Sequence, residues 1–440
     1  MARVERAILA RTPEHDLTPS LDRIGALVDL LGDPQKSQPM VHVTGTNGKT
    51  STSRMIDTLL RRLGLRVGRF TSPHLHSMTE RISLHGEPLD ATRFAATYDD
   101  IAPYVGMVDA ASPVPVSYFE VLVGMAYAAF AEAPVDAAVV EVGMGGAWDA
   151  TNVGDGAVAV VTPIAVDHER FLGSDVATIA AEKAGIIKPG SIAVLAQQPV
   201  EAAEVLLARA AEVGATVARE GLEFGVRHRA VAVGGQIVTV HGLRGTYDEI
   251  FLPLHGAHQA HNAACAIAAV EAFVGGHGPL DADEVRAAFA EVTSPGRLEV
   301  VRRSPTVLLD AAHNPAGAHA TAAALREAFQ FSRLVGVFAA FADKDVRGML
   351  EAFEPVLAEV VVTEAASPRA LPVDELAAVA VDVFGPDRVE VVARLDDALD
   401  AGVGLAEEEG HLGGAGVLVS GSIQTVAQAR TLLARQGRVG

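Results

Sequence analysis

From Met40 onward, short apolar runs alternate with longer stretches in which apolar residues recur every three or four positions. That grammar predicts strands and helices in turn, and hence a parallel sheet with helices packed on its faces. Strands are predicted at 40–44, 67–70, 135–142, 157–162 and 192–195. Between the first two, Met55, Ile56, Leu59, Leu60 and Leu63 fall on one helical face and Gly64 follows as a stop, which makes one βαβ unit. Residues 230–240 read as a β-hairpin turning at Gly234-Gly235 through a primed turn. A helix over 259–273 comes next. Ser294-Pro295-Gly296 is the strongest break, and beyond it strands are predicted at 306–309, 334–338, 359–363 and 417–420. Glu407-Glu408-Glu409 and the glycines after them read as a solvated loop.

Composition narrows the class. Of 440 residues, 49% are hydrophobic and 20% charged, enough apolar matter for substantial cores. A net charge of −20 argues against non-specific nucleic-acid binding and against docking on anionic membranes. Any anionic substrate must therefore meet positive charge that is local. The single cysteine, Cys265, excludes an internal disulfide and a Cys-rich metal site and fits a reducing cytoplasm. Residues 1–6 lack an apolar signal core, and the longest apolar run, 121–131, falls short of the ~18 residues of a membrane span. The expectation is a cytoplasmic protein, neither exported nor anchored.

Candidate chemistry begins where a strand meets a helix. Thr44-Gly45-Thr46-Asn47-Gly48-Lys49-Thr50 lies between the strand 40–44 and the helix after it, a setting in which backbone N–H groups and the helix dipole hold a polyphosphate. Lys49 would reach the β- and γ-phosphates. The usual phosphate-loop pattern is not fully met, since Val43 stands where its first glycine belongs. In an open parallel sheet, ligands lie beyond the carboxyl ends of the strands. Ser72-Pro73-His74, Glu141 and Asp167-His168 all fall at such ends. A hydroxyl, a carboxylate and an imidazole facing a nucleotide suit Mg²⁺, which binds through few protein groups plus phosphate oxygens. Ser72 reads equally as the start of a turn. His168 by itself reads as a structural or surface histidine, and only its partners favour a ligand. Glu141 closes an apolar strand, where a carboxylate is costly to bury without a cation. Lys183, near a helix end, reads as a solvated lysine; pointing inward, it would lose part of its basicity and react as the neutral amine. Asp310 ends another strand before a helix starting near Pro315, and there Asp310 and Asn314 read equally as caps.

In this order, Gly45–Lys49, Thr71–Leu75, Glu80-Arg81-Ile82, Glu141–Gly146, Asp149–Asn152, Asp167-His168, Glu182–Gly185, His258-Gln259 with Asn262, Pro295-Gly296-Arg297, Asp310–Pro315 and Asp343-Lys344-Asp345 resemble the folylpolyglutamate synthase/dihydrofolate synthase family of the Mur ligase superfamily. The resemblance implies that Thr46, Asn47, Gly48, Lys49 and Thr50 bind ATP phosphates, with Asn262, Arg297 and Asp310 also on the nucleotide. It implies Mg²⁺ ligation by Ser72, Glu141 and His168, and carbamylation of Lys183. Pterin-side contacts map to Pro19, Ser20, Leu21 and Asp22, to Ser117, Tyr118 and Phe119, and to Trp148, Asp149 and Ala150. The expected organisation is α/β in two domains. Residues 1–295 form a P-loop parallel sheet flanked by helices with a small antiparallel appendage, and 296–440 a smaller doubly wound α/β domain, with ATP lying between them. One departure is Ala147, where similar proteins often carry arginine.

The reaction so implied is ATP-driven amide formation through an acyl phosphate, adding L-glutamate to (tetrahydro)folate and to 7,8-dihydropteroate, in a bifunctional monomer. Lys49 is the expected catalytic cation. His313 reads either as a group that places glutamate or handles its proton, or as part of a helix cap. Two rivals stand beside this reading: a Mur-type ligase for another carboxylate and amino acid, and a P-loop switch that only hydrolyses nucleotide.

Overall fold

The computed structural model describes residues 1–13, 18–408 and 414–435. The chain forms two compact units, one comprising 1–229, 237–252 and 260–292, the other 230–236, 253–259 and the chain from Thr293 onward.

The first unit is built on an eight-stranded sheet: β1 Met40–Thr44, β2 Val67–Phe70, β3 Ile82–Leu84, β4 Glu87–Pro88, β5 Ala137–Glu141, β6 Val158–Val161, β7 Ile192–Leu195 and β8 Thr216–Arg219. Their order is β4-β3-β2-β5-β1-β6-β7-β8. Six strands run parallel, while β3 and β4 turn back antiparallel at one edge. All five predicted strands of this region are present. The sequence pattern missed the edge strands β4 and β8 and the three-residue β3 beside β4, which are too short or too polar to read as apolar runs. The apolar stretch 121–131 lies in the helix Tyr118–Glu132, which is buried almost all round. Its Val121, Leu122, Met125 and Phe130 join Leu27, Phe94 and Ile101 in one core cluster, and Ile179, Ile186, Val161 and Leu206 form another.

Three consecutive strands, β9 Gly225–Ala232, β10 Gly235–His241 and β11 Thr246–Leu252, make the small separate sheet. The hairpin turns at Val233-Gly234, one residue earlier than expected. Gly234 has φ +77°, but Val233 is not among the residues of positive φ, so the turn is not primed. A primed turn needs positive φ at its first central position, which β-branched valine resists.

The second unit carries β12 Glu299–Arg303, β13 Thr306–Leu309, β14 Arg333–Phe338, β15 Glu359–Glu364, β16 Val389–Arg394 and β17 Ala415–Ser420, in the order β12-β13-β17-β14-β15-β16. Only β12 is antiparallel to its neighbour. Leu308, Leu325, Phe338, Met349, Phe353 and Leu418 are buried in its core. The two edge strands β12 and β16 are half-exposed and were not predicted. Glu407 is helical, closing Leu395–Glu407, because its neighbours Val403 and Ala406 pack inward. Glu409 and the residues to 413 lie outside the described residues. No helix among the described residues is long and apolar enough to cross a membrane.

Register sets the stage for chemistry. Val43 of β1 lies opposite Glu141 of β5, Thr44 opposite Val161 of β6, and Phe70 of β2 opposite Val140 of β5. The loops after β1, β2, β5 and β6 therefore leave one edge of the sheet at nearly one level.

Candidate active site

The loop after β1 is a short bend whose geometry only glycine satisfies at its last position. Gly48 has φ +91° and caps the helix Lys49–Arg62. A Cβ there would stand 2.6 Å from Asn262 Oδ1, so the helix Ala257–Val274 brings Asn262 against the loop. Gly48→Ala thus combines backbone strain with a clash, and is expected to cost about 1–3 kcal/mol of stability and to weaken ADP binding. Thermal melts with and without ADP would check this, and an unchanged ADP-induced rise in Tm would refute the second half. Elsewhere the loop is tied to the segment after β6. Thr46 N and Asn47 N donate to Pro163 O at 3.0 and 3.4 Å, and Thr46 Oγ1 donates to Ala165 O at 2.9 Å.

Two ammonium groups meet at this loop. Lys49 Nζ donates to Gly45 O and Thr46 O, both at 3.1 Å, and Lys183 Nζ donates to the same Gly45 O at 2.9 Å. Lys183, only 3% exposed, is not the solvated lysine that its helix alone suggested. It ends the helix Val176–Lys183, whose last turn packs under the glycine loop that follows β5. Ala147 N donates to Glu182 O at 2.9 Å and Trp148 N to Glu182 Oε1 at 3.1 Å. At Gly146 a Cβ would meet Glu182 O and Lys183 O at 2.8 and 2.9 Å, so only glycine admits this approach. Burial, reinforced by the charge of Lys49, pulls the Lys183 pKa down to about 7, against the pull of Asp167, Asp149 and Glu182. In a chain of net charge −20, Lys49, joined by Lys183 when that is protonated, concentrates positive charge at this loop.

Glu141 closes β5 at 1% exposure and accepts from Thr50 Oγ1 at 2.8 Å through Oε1. Thr50 stands where the hydroxyl of a phosphate loop meets a nucleotide-bound divalent cation. Ser72, 8% exposed, follows β2 just past the level of Glu141. His168, at φ +53°, begins the helix Glu169–Leu172 and has Nε2 3.9 Å from its neighbour Asp167. Among the described residues no group of three His, Cys, Asp or Glu side chains is gathered as a metal site. A buried carboxylate held by the loop threonine nevertheless fits Mg²⁺, which takes its remaining oxygens from hydroxyls and phosphates.

The candidate acceptor residues fall into linked groups. Ser117 caps the helix Tyr118–Glu132 in a capping box with Glu120, and Glu120 Oε2 also accepts from Arg23 Nε at 3.1 Å. Arg23 in turn donates to Thr18 O at 2.8 Å, and Ser20 Oγ accepts from Asp22 N at 3.0 Å. This buried pair joins the segment of Pro19, Ser20, Leu21 and Asp22 to Ser117, Tyr118 and Phe119. Arg81 lies over the Tyr118 ring at 5.2 Å, and Arg81 Nε approaches His74 Nδ1 at 3.0 Å. Phe119 packs on Phe70, and its Cζ would lie 2.5 Å from a Cβ on Gly143. Beyond that glycine, Asp149 is buried and accepts from Met144 N and Thr151 N, both at 2.9 Å. Burial raises the Asp149 pKa to about 6 despite those donors. Trp148 and Ala150 flank it.

In the second unit Asp310 is held by groups of its own unit. Its Oδ2 accepts from Leu298 N at 2.9 Å, and its Oδ1 from Ala312 N at 3.0 Å and Thr321 Oγ1 at 2.8 Å. Asn314 is the N-cap of the helix Pro315–Ala328, His313 Nδ1 lies 2.9 Å from Ala311 O, and Arg297 donates to Gly296 O at 3.1 Å.

Several contributors were assigned no role from the sequence. Glu80 accepts from Leu75 N, His76 N and Ser77 N and so shapes the loop after β2. Thr44 Oγ1 donates to Gly145 O at 2.7 Å, anchoring the glycine loop to β1. The pair Arg23–Glu120 spans nearly a hundred positions of chain. A local hint of the roles of Glu80 and Glu120 was the Ser-x-x-Glu capping pattern at Ser77 and at Ser117.

Known proteins supply independent context. A family model described as the Mur ligase middle domain matches residues 119–270, and one described as the Mur ligase glutamate ligase domain matches 296–423. The chain is 51% identical to the dihydrofolate synthase/folylpolyglutamate synthase of Mycobacterium tuberculosis, covering 99% of this chain and 94% of that one. It is 32% identical to the protein of the same description from Escherichia coli, over 92% and 89% of the two chains. Among solved structures, M. tuberculosis folylpolyglutamate synthase complexed with ADP superposes with a TM-score of 0.95 at 52% identity, over 99% and 98% of the chains. An E. coli protein in complex with DHPP and ADP superposes with a TM-score of 0.85 at 29% identity, over 99% and 98%.

Proposed function

The chain belongs to the dihydrofolate synthase/folylpolyglutamate synthase family of Mur ligases, and from that premise we propose that it joins L-glutamate to the carboxylate of tetrahydrofolate and of 7,8-dihydropteroate, using ATP. The observation that carries this reading is the meeting of Thr50 with Glu141 beside two ammonium groups that converge on Gly45 O, in a chain similar over nearly its full length to such enzymes.

A carboxylate is a poor electrophile at neutral pH. One of its oxygens attacks the γ-phosphorus of ATP, the bond to the β–γ bridging oxygen breaks, and ADP departs. The acyl phosphate then accepts the α-amine of glutamate at its carbonyl carbon. The amine gives up a proton and phosphate leaves, so no nucleophilic side chain is needed. Charge on the moving phosphoryl group is the main obstacle, and Lys49 is placed to balance it. Mg²⁺, when bound with ATP, supplies further neutralisation, and Ser72, Glu141 and His168 are the residues proposed to hold it. Lys183, reacting through its neutral amine with carbon dioxide, forms a C–N bond and releases a proton, so that a carbamate anion would stand in the site in place of an ammonium. Thr46 to Thr50 with Asn262 take the nucleotide, and the groups around Arg23, Tyr118, Phe119 and Asp149 take the pterin side.

The test is a product assay. With ATP, Mg²⁺, L-glutamate and either acceptor, ADP is expected to form only when both acceptor and glutamate are present, and the acceptor to gain one glutamyl residue by mass. ADP release without either would support the hydrolysing switch. Amide formation with neither pteridine, but with another carboxylate, would support the other ligase reading. The glutamate ligase domain matched over 296–423 speaks against the switch.

A further inference from the structure

Arg61 on the phosphate-loop helix, Arg69 on β2 and Arg81 just before β3 are each paired. Arg69 donates to Asp57 Oδ2 at 2.8 Å and to Ser83 Oγ at 3.1 Å, Arg61 to the same Asp57 Oδ2 at 3.2 Å, and Arg81 meets His74. Arg54 differs: its guanidinium makes no side-chain hydrogen bond or ion pair among the described residues, and the residue is half-buried. Burial and the charge of Arg69 pull its pKa down to about 10, opposed by Glu141, Glu80 and Asp57, so it remains a cation at neutral pH. Those carboxylates are already engaged. Glu141 takes Thr50, Glu80 takes three backbone N–H groups, and Asp57 takes Arg69 and Arg61.

Position narrows the role. Arg54 follows Thr50 by four residues and so shares its helical face, and helical side chains lean toward the helix N-terminus. The guanidinium is therefore directed along the side of the helix that bears Thr50 and Glu141, next to the loop shaped by Glu80 after β2. A partly desolvated cation without a hydrogen-bonded acceptor is costly to maintain, and an arriving anion relieves that cost. The nucleotide's phosphates already have Lys49 and the loop. The other anion in the proposed reaction is the acceptor carboxylate, which must approach a polyanion and needs a cation to do so.

On the reading of function given above, we propose that Arg54 binds the acceptor carboxylate that becomes phosphorylated, holding it for attack on ATP. A planar guanidinium offers that carboxylate two parallel N–H donors, a fit lysine cannot match.

The decisive experiment compares dihydropteroate with its carboxamide, which keeps the pterin and ring but carries no charge. Binding of each to the ADP-loaded protein is measured for the parent, Arg54→Gln and Arg54→Lys. The parent is expected to prefer the carboxylate. Arg54→Gln should lose about 10- to 100-fold in carboxylate affinity, leave the carboxamide unchanged, and bind ADP as the parent does. Arg54→Lys should recover part of the loss. With ATP and L-glutamate saturating, Arg54→Gln should raise KM for dihydropteroate by a similar factor. Equal weakening of carboxylate and carboxamide, or an unchanged preference, would overturn the proposal and leave Arg54 a positioning residue for Glu141 or Glu80. Loss of ADP binding would overturn it in favour of a nucleotide contact. If the parent binds neither pteridine and yields no ADP with either, the functional reading itself fails, which is a different result from a parent-specific preference lost in the variant. Should Arg54→Gln fail to fold, Arg54→Lys alone decides, since its retained charge with lost bidentate geometry must weaken the carboxylate and spare the carboxamide.

Discussion

Lys49→Ala is expected to lower kcat with either acceptor by about 10³-fold or more while leaving the fold intact. The lysine stands at the first position of its helix and reaches back over the loop to Gly45 O and Thr46 O. With ATP bound, those loop carbonyls are a poor match for its charge compared with a phosphoryl group spreading negative charge over three oxygens. Losing the cation therefore removes stabilisation that is larger in the transition state than in the ground state, which appears in kcat. Alanine retains helix propensity at that position, so the melting temperature should stay near that of the parent. A further consequence separates this account from general damage. Lys49 is one of the two forces depressing the pKa of Lys183, so in Lys49→Ala the Lys183 pKa should rise above about 7. Near-normal turnover in a folded Lys49→Ala protein would remove the phosphate role assigned to it.

Lys183→Met is expected to reduce turnover by about 10²- to 10³-fold. The size follows from removing a charged group beside the reacting phosphate, whichever sign that group carries during turnover. Its reading as a carbamate makes a second demand: turnover by the parent should fall when carbon dioxide is stripped and return with bicarbonate. A carbamate carbon signal from ¹³C-bicarbonate should be present in the parent and absent in Lys183→Met. No such signal, with activity indifferent to bicarbonate, would leave Lys183 an unmodified amine. Stability supplies a readout independent of activity. In protein free of carbon dioxide, the folded-state pKa of about 7 lies below the ordinary 10.5. Between those values the unfolded chain binds more protons, so stability should rise with pH through that window, by at most about 1.4 kcal/mol per unit. Below about 7 both states are protonated and the full cost of the buried cation is felt. Lys183→Met should therefore flatten the profile and be the more stable protein at pH 6, as denaturant unfolding at pH 6 and 9 would reveal.

The legible part of this site was the part that is local in the chain. Strand β1, the bend at Gly48 and the helix from Lys49 sit within a short stretch, and their pattern of apolar, glycine and helix-start positions identified a phosphate loop. Strand ends were equally legible, because an apolar run closing on Glu141 or Asp310 marks where a buried strand gives way to a polar edge. The meaning of those ends differed. Glu141 faces Thr50, whereas Asp310 has both its oxygens occupied by Leu298, Ala312 and Thr321 of its own unit. Nothing near either carboxylate in the chain distinguishes the two.

By itself, the sequence determined the α/β alternation, the interior parallel strands of the two larger sheets, the phosphate loop and the family to which the chain belongs, since each is carried by residues close together or by their order. Tertiary structure decided that Lys183 is buried at Gly45 O, that Arg23 joins two distant acceptor segments through Glu120, that the hairpin turn is not primed, and that Arg54 is a desolvated cation. It also decided the edge strands β4, β8, β12 and β16, and the short β3 next to β4. The reason is physical: desolvation, pairing and strand membership at an edge depend on which neighbours arrive from far along the chain, and a residue's own type and spacing carry no record of them.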